Sequence, residues 1–284
     1  MGKRGFRVLA FAPLFLLMAA AYTLPVLYNL IRSLQNEQGE YVGLKNYADV
    51  LSSYYFLDSL RFTLRIALVT TAIAMVIAVV VALALRESFV GKRLVLFLFH
   101  YNICIPHIVA AMMMIMLLSQ IGILSSLTYR LGISESAKAF PWLVRDSSGL
   151  GITITFVWKY FPYIGLSVLG VLQGASRAYE AQAATLGVGK RKRFFHVILP
   201  QILPATVIAS IIVFAAAFGE YEIPALLGAS THRALSVMVY MKYCDLSTRD
   251  LPAAYVMMTL MSLVLMVFIL VYYVLVTRKR GEVK

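Results

Sequence analysis

Long runs of apolar residues, separated by polar connections, set the pattern of this chain. A bilayer core of about 30 Å takes roughly 20 apolar residues at about 1.5 Å each. Six stretches fit that length: residues 8–31, 62–85, 94–118, 150–172, 202–218 and 253–276. The pattern predicts an all-α polytopic membrane protein with six transmembrane helices in a single membrane domain over residues 1–284. The first stretch has some marks of a secretory signal, with Lys3, Arg4 and Arg7 before it and Ala19, Ala20 and Ala21 resembling a cleavage site. Its apolar run exceeds the roughly 7–15 residues of such signals, which favours a retained span.

Composition strengthens the membrane reading. Hydrophobic residues make up 61% of the 284 and charged residues 14%, against about 45–50% and 25% in soluble domains. Mean hydropathy is +0.82. In a soluble protein the net charge of +13 would suggest a nucleic-acid partner; here it first reports topology. The N-terminus, the 86–93 and 173–201 loops and the C-terminal tail hold 15 Lys and Arg. The longer alternate loops hold nine, with ten of the 13 acidic residues. Positive charge stays inside, so both termini are expected in the cytoplasm and no nucleic acid as partner. Cys104 lies in an apolar run and Cys244 in a polar loop, so the two are not expected to pair.

The chemistry the chain lacks narrows its function. Gly91-Lys92 is followed by Arg93 and Gly189-Lys190 by Arg191, where a phosphate-cradling P-loop needs Ser or Thr to hold Mg²⁺. Nucleotide hydrolysis in this chain is therefore not expected. His100, His107, His196 and His232 lack ligand-like spacing, so no metal site, catalytic residue or bound cofactor is expected. His100 and His107, seven apart, should share one face of the third span as core residues bonded to backbone or neighbouring helices.

The most informative stretch is YEAQAATLGVGKRKRFFHVILPQILP, Tyr179 to Pro204, in the 173–201 loop. Such a loop is longer than a helical turnaround needs. Ala181, Ala183 and Ala184 favour a short helix with a small-residue face, and Gly187 and Gly189 interrupt it. A basic run, Lys190 to Arg193, follows, and Pro200 and Pro204 mark the start of the fifth span. A short small-faced helix suits a partner's groove; an ordinary basic loop on anionic lipid is the plainer reading.

This loop resembles that of the permease subunits of binding-protein-dependent ABC importers: Glu-Ala-Ala, three residues, Gly, nine residues, then Ile-x-Leu-Pro. Gly187 stands 13 residues before Pro200, as that spacing requires, and Val197-Ile198-Leu199-Pro200 closes the motif. Its start departs: Ala181 takes the glutamate's place, Gln182 that of the first alanine, Ala183 matches, and Glu180 sits one residue early. IPHIVAAMMMIMLLSQIGIL (Ile105 to Leu124) and WKYFPYIGLSVL (Trp158 to Leu169) are similar to the family's third and fourth spans. AFGEYEIPALLGAS (Ala217 to Ser230) is similar to the branch serving polyamines, phosphonates and ferric iron.

The resemblance implies an importer permease fold in the bacterial inner membrane. Its partners would be cytoplasmic ATP-binding subunits carrying ATP and Mg²⁺, a second, non-identical permease and an extracytoplasmic solute-binding protein. Glu180, Ala181, Gln182, Ala183, Gly187, Leu199 and Pro200 would form the ATPase-coupling loop. Among pathway candidates, Lys159 falls mid-span, where it either attracts an anionic solute or pairs with an acid or carbonyls across a subunit interface. Tyr160 and Tyr163 flank Pro162 in a segment suited to a gate or to packing. Glu220 and Glu222, beyond the fifth span, would meet a cationic solute, receive the binding protein, or form a solvated turn. The rival is a stand-alone secondary transporter or channel, which calls for internal repeats and several central charges; no convincing repeat relates the two halves.

Overall fold

The computed structural model describes residues 3–136, 139–174 and 176–281. The chain is helical, and among the described residues strand-like pairing is limited to one bridge between Gln35 and Tyr41. In order the helices are α1 (Lys3–Ser33), α2 (Lys45–Ser52), α3 (Tyr54–Arg86), α4 (Lys92–Cys104), α5 (His107–Leu118), α6 (Ile123–Arg130) and α7 (Leu150–Gln173). There follow α8 (Ser176–Thr185), α9 (Lys190–Arg193), α10 (Leu199–Gly219), α11 (Glu222–Leu227), α12 (Leu235–Cys244) and α13 (Leu251–Gly281). A π-helical turn, Phe194–Ile198, joins α9 to α10.

Among the described residues, six segments are long and apolar enough to cross a membrane: Phe11–Ser33, Tyr54–Arg86, His107–Arg130, Leu150–Gln173, Lys190–Gly219 and Leu251–Val271. The number matches the apolar pattern, but two spans differ from expectation. The stretch 94–118 is not one helix. Pro106 pushes Ile105 into extended conformation, φ −69° and ψ 124°, and splits it into α4 and α5. His100 and His107 therefore do not share a helical face; His100 Nδ1 lies 2.7 Å from the Leu96 carbonyl on α4, and His107 opens α5. The fifth span begins at Lys190, not near residue 202. Pro200 follows directly on the π turn within this continuous helix, where the widened turn accommodates its missing N–H.

The chain divides into two compact units. One runs to Leu57 and includes Met238–Val267. In it the Asn29 amide donates to Thr259 Oγ1 at 2.7 Å, and Tyr28 meets Tyr255 edge-on at 6.3 Å. The Asn46 amide donates to the Ser33 and Gln35 carbonyls at 3.0 and 2.9 Å, satisfying the end of α1. Phe11, Phe15, Leu17, Tyr22 and Leu24 on α1 are exposed, an apolar surface suited to lipid.

The other unit spans Asp58–Val237 and resumes at Phe268. On α3, Ala67, Ala74, Ala78 and Ala82 are fully buried at helical spacing, a small-residue face that allows close approach. α10 packs along α7, α4 crosses α7, and α11 rests on α5 and α7. A Cβ on Gly151, in the first turn of α7, would stand 1.7 Å from the Leu143 carbonyl oxygen, so only glycine fits. The Asp146 carboxylate caps that turn, accepting the Leu150 and Gly151 amides at 2.8 and 3.2 Å.

Candidate functional site

Two prolines organise the crossing of α4 and α7. Pro162, inside α7, has no N–H for the Trp158 carbonyl one turn back. The Asn102 side-chain amide on α4 donates to that carbonyl at 3.0 Å. Pro106, in turn, ends α4 and leaves its last carbonyls short of amide partners, the Asn102 carbonyl keeping one long bond from the Ile105 amide at 3.3 Å. The Lys159 ammonium on α7 takes them, donating to the Asn102, Ile105 and Ile103 carbonyls at 2.7, 2.5 and 3.4 Å. Each helix thus mends the other's break. Lys159 is 1% exposed and Asn102 5%, so the ammonium is held by carbonyls at a helix C-terminus, where a cation is favoured. Of the two roles open to Lys159 this is pairing with carbonyls, made within the chain and not across a subunit interface.

Beside this crossing lies a polar cluster drawn from three elements. Tyr160 is buried on α7, with its hydroxyl 3.5 Å from Glu220 Oε2 and its ring 6.2 Å from that of Tyr163. Glu220 leaves the end of α10 in extended conformation. The Ser236 hydroxyl donates to its carbonyl at 2.6 Å, and the Glu222 amide to its Oε1 at 3.1 Å. His107, opening α5, brings Nδ1 to 3.6 Å from Glu220 Oε2 and its ring to 6.0 Å from Tyr160. The Glu220 side chain retains 11% of its accessibility, so it is no solvated turn; Tyr163 and Glu222 are half-buried. His107 and Asn102 belong to this site although sequence reasoning did not select them. Pro106, next to His107 and visible in the sequence, was the available signal.

The 173–201 segment forms a separate site. α8 is a helix of ten residues, closed by a Schellman cap. The Val188 amide donates to the Ala183 carbonyl and the Gly187 amide to the Ala184 carbonyl, both at 3.0 Å. Gly187 has φ +75°, the left-handed conformation that glycine adopts without penalty. Ala181 and Gln182 are exposed, Ala183 half-buried, and Tyr179 and Leu186 are 54% and 82% exposed. Glu180 turns back onto the chain and pairs with Arg86 at the end of α3, both side chains largely buried. Arg86 also lies 3.5 Å from Glu87. An open cleft of about 570 Å³ is lined there by Arg86, Lys92, Glu180, Ala181 and Arg193. Leu199 and Pro200, half-buried and exposed, begin α10 beyond the π turn.

At the other end of α7, a cavity of about 720 Å³ is lined by Trp142, Arg145, Ser148, Thr231 and Arg233 among others. Arg145 holds a positive φ of 59°, with its amide donating to the Leu227 carbonyl at 2.7 Å.

Residues 63–281 match the model of the family described as binding-protein-dependent transport system inner membrane component. An sn-glycerol-3-phosphate transport system permease protein of Yersinia pestis is 25% identical over 241 residues, covering 81% of this chain and 79% of its own. A trehalose transport system permease protein of Mycobacterium tuberculosis is 28% identical over 224 residues, covering 74% of this chain and 68% of its own. These relatives are permeases, not enzymes, and their names do not support the polyamine, phosphonate and ferric-iron branch. In fold, the chain is similar to a bacterial ABC transporter involved in the import of the acidic polysaccharide alginate, with a TM-score of 0.81 at 15% identity over 97% of this chain and 96% of that one. A second structure of an alginate transporter, in complex with an alginate pentasaccharide-bound periplasmic protein, gives 0.78 at 15% identity, over 95% and 93%.

Proposed function

The chain belongs to the family of binding-protein-dependent inner membrane transport components, and from that premise we propose that it lines the pathway of an ATP-driven importer for a sugar or sugar-like solute. The observation that carries this reading is α8: a small-faced helix, closed by a positive-φ glycine and open to a partner, between two membrane-spanning helices. Glu180, Ala181, Gln182, Ala183, Gly187, Leu199 and Pro200 form the coupling segment, which seats on a separate ATPase in the cytoplasm. Both chain termini lie on that side of the inner membrane, in keeping with the charge asymmetry. ATP and Mg²⁺ belong to the ATPase. A second, non-identical permease completes the pathway, and an extracytoplasmic binding protein delivers solute at the end of α7 where Trp142, Arg145 and Arg233 line the cavity.

The mechanism is alternating access. Closure of the ATPase pair on ATP moves α8, and α8 moves the spans that flank it. Glu180 conducts that motion inside the chain through Arg86, which joins α8 to α3. Tyr160, Tyr163, Glu220 and Glu222 face the solute, and Lys159 holds the α4–α7 crossing that presents them. Carboxylates accepting hydroxyl hydrogen bonds beside aromatic rings suit a polyhydroxylated ligand, and the trehalose permease among the relatives supports a sugar. A polyamine is the second reading, favoured only by the paired carboxylates of Glu220 and Glu222.

Purification of the chain from its native membrane in mild detergent tests the proposal. The expected result is a co-purifying P-loop ATPase with vanadate-sensitive activity, and solute uptake competed by a sugar but not by spermidine. A lone chain that still moves solute in liposomes would establish a self-sufficient transporter instead.

A further inference from the structure

We propose that His107, Glu220 and Glu222 form a binding site for a divalent metal of zinc type. Their donor atoms all lie within 4.8 Å of one another, although the residues come from two distant parts of the chain, the first residue of α5 and the junction of α10 with α11. One imidazole and two carboxylates are the donor set that zinc accepts, with water completing four-coordination.

Three features set this cluster apart from a packing histidine beside an acid. The 3.6 Å between His107 Nδ1 and Glu220 Oε2 is too long for a hydrogen bond. It is close to the spacing of adjacent donors in tetrahedral zinc, about 3.4 Å for bonds of about 2.0–2.2 Å. The other ring nitrogen, Nε2, is buried with no hydrogen-bond partner among the described residues, so no structural bond accounts for the imidazole. The two carboxylates stand close together, with Glu220 largely buried, where like charges repel and a bound cation relieves them. The ammonium beside them, Lys159, is already occupied by the Asn102, Ile103 and Ile105 carbonyls. Behind the donors, the Glu222 amide orients Glu220 at 3.1 Å, the outer support that metal-ligating carboxylates require.

A metal here would fasten α5 to the α10–α11 junction. Because the pathway reading requires these elements to shift, zinc would act as a brake on transport rather than as cargo.

The test is equilibrium dialysis of the purified full-length chain against micromolar zinc, followed by elemental analysis. About one zinc per chain is expected, with affinity falling at least tenfold in His107→Gln and in Glu222→Gln and staying unchanged in His100→Ala. Cobalt(II) loaded into the unaltered protein should give visible d–d bands of a four-coordinate nitrogen and oxygen site, a readout that does not depend on any variant folding. Absence of saturable zinc binding, equal binding by His107→Gln, or the spectrum of fully hydrated cobalt would each overturn the proposal. Binding is read with no transport step, so this result stands apart from that of the importer reading. In vesicles of the whole importer, micromolar zinc should slow uptake several-fold, and His107→Gln should relieve the inhibition.

Discussion

The α4–α7 crossing and the α8 segment treat their polar groups in opposite ways. At the crossing, two breaks made by Pro106 and Pro162 are closed within the chain, because Lys159 and Asn102 each serve the other helix's carbonyls. At α8 the backbone is satisfied by its own cap, while Tyr179 and Leu186 stay exposed and one ion pair, Glu180 with Arg86, ties the helix to α3. The first region closes its backbone breaks within the chain. The second leaves side chains exposed, which the importer reading assigns to a partner. Substitutions at the crossing should therefore damage the protein itself, and substitutions at α8 should damage what it does with others.

The largest effect is expected from Lys159→Met, which leaves three carbonyls without their donor in a water-poor setting. A loss of at least about 3 kcal/mol follows, read as a lower unfolding temperature in detergent and poor folded yield. Asn102→Leu should cost less. The double variant should cost less than the sum of the two, because the residues share one network. Simple additivity would mean that the exchange is not a unit.

Gly187→Val comes next. A β-branched residue at φ +75° loses about 1–2 kcal/mol locally and disturbs the end of α8. Folded yield should fall modestly while co-purified ATPase falls tenfold or more. Equal losses of both would erase the distinction between the two regions.

Glu180→Gln should have the smallest effect on stability, about 1 kcal/mol, since the new amide oxygen can still accept from Arg86 and Arg86 keeps Glu87 at 3.5 Å. Its signature is loose coupling: ATPase remains bound, but stimulation by solute weakens. Exchanging the charges, with Glu180→Arg and Arg86→Glu together, should restore part of it. Unchanged coupling in Glu180→Gln would reduce the pair to a surface contact.

How much could be read from residues alone follows the range of the interactions. Span number depends on local apolar length and was legible. The Gly187 turn is local too, and its role as a helix terminator was visible from composition. Pro106 was visible, but continuous periodicity across 94–118 hid the break and placed His100 and His107 on one face. The partners of Lys159 could not be read, because they are carbonyls at a proline-broken end of another helix, more than 50 residues away. Glu180 was read as a displaced motif glutamate; its partner Arg86 is 94 positions distant, beyond any helical spacing. Glu220 looked like a loop acid because its burial comes from Tyr160 and His107, on other elements.

The α4–α7 exchange also bears on how the chain is made. A lysine at the centre of an apolar segment opposes its release into lipid by roughly 2.5–3.5 kcal/mol. The segment that supplies the compensating carbonyls is synthesised first, so the receptor is in place before the ammonium emerges from the ribosome. Straightening the earlier segment with Pro106→Ala would remove that receptor, and the later one would then have to enter the bilayer with its charge unaccompanied. The proline break is therefore an instruction about the order of assembly as well as a feature of the finished molecule.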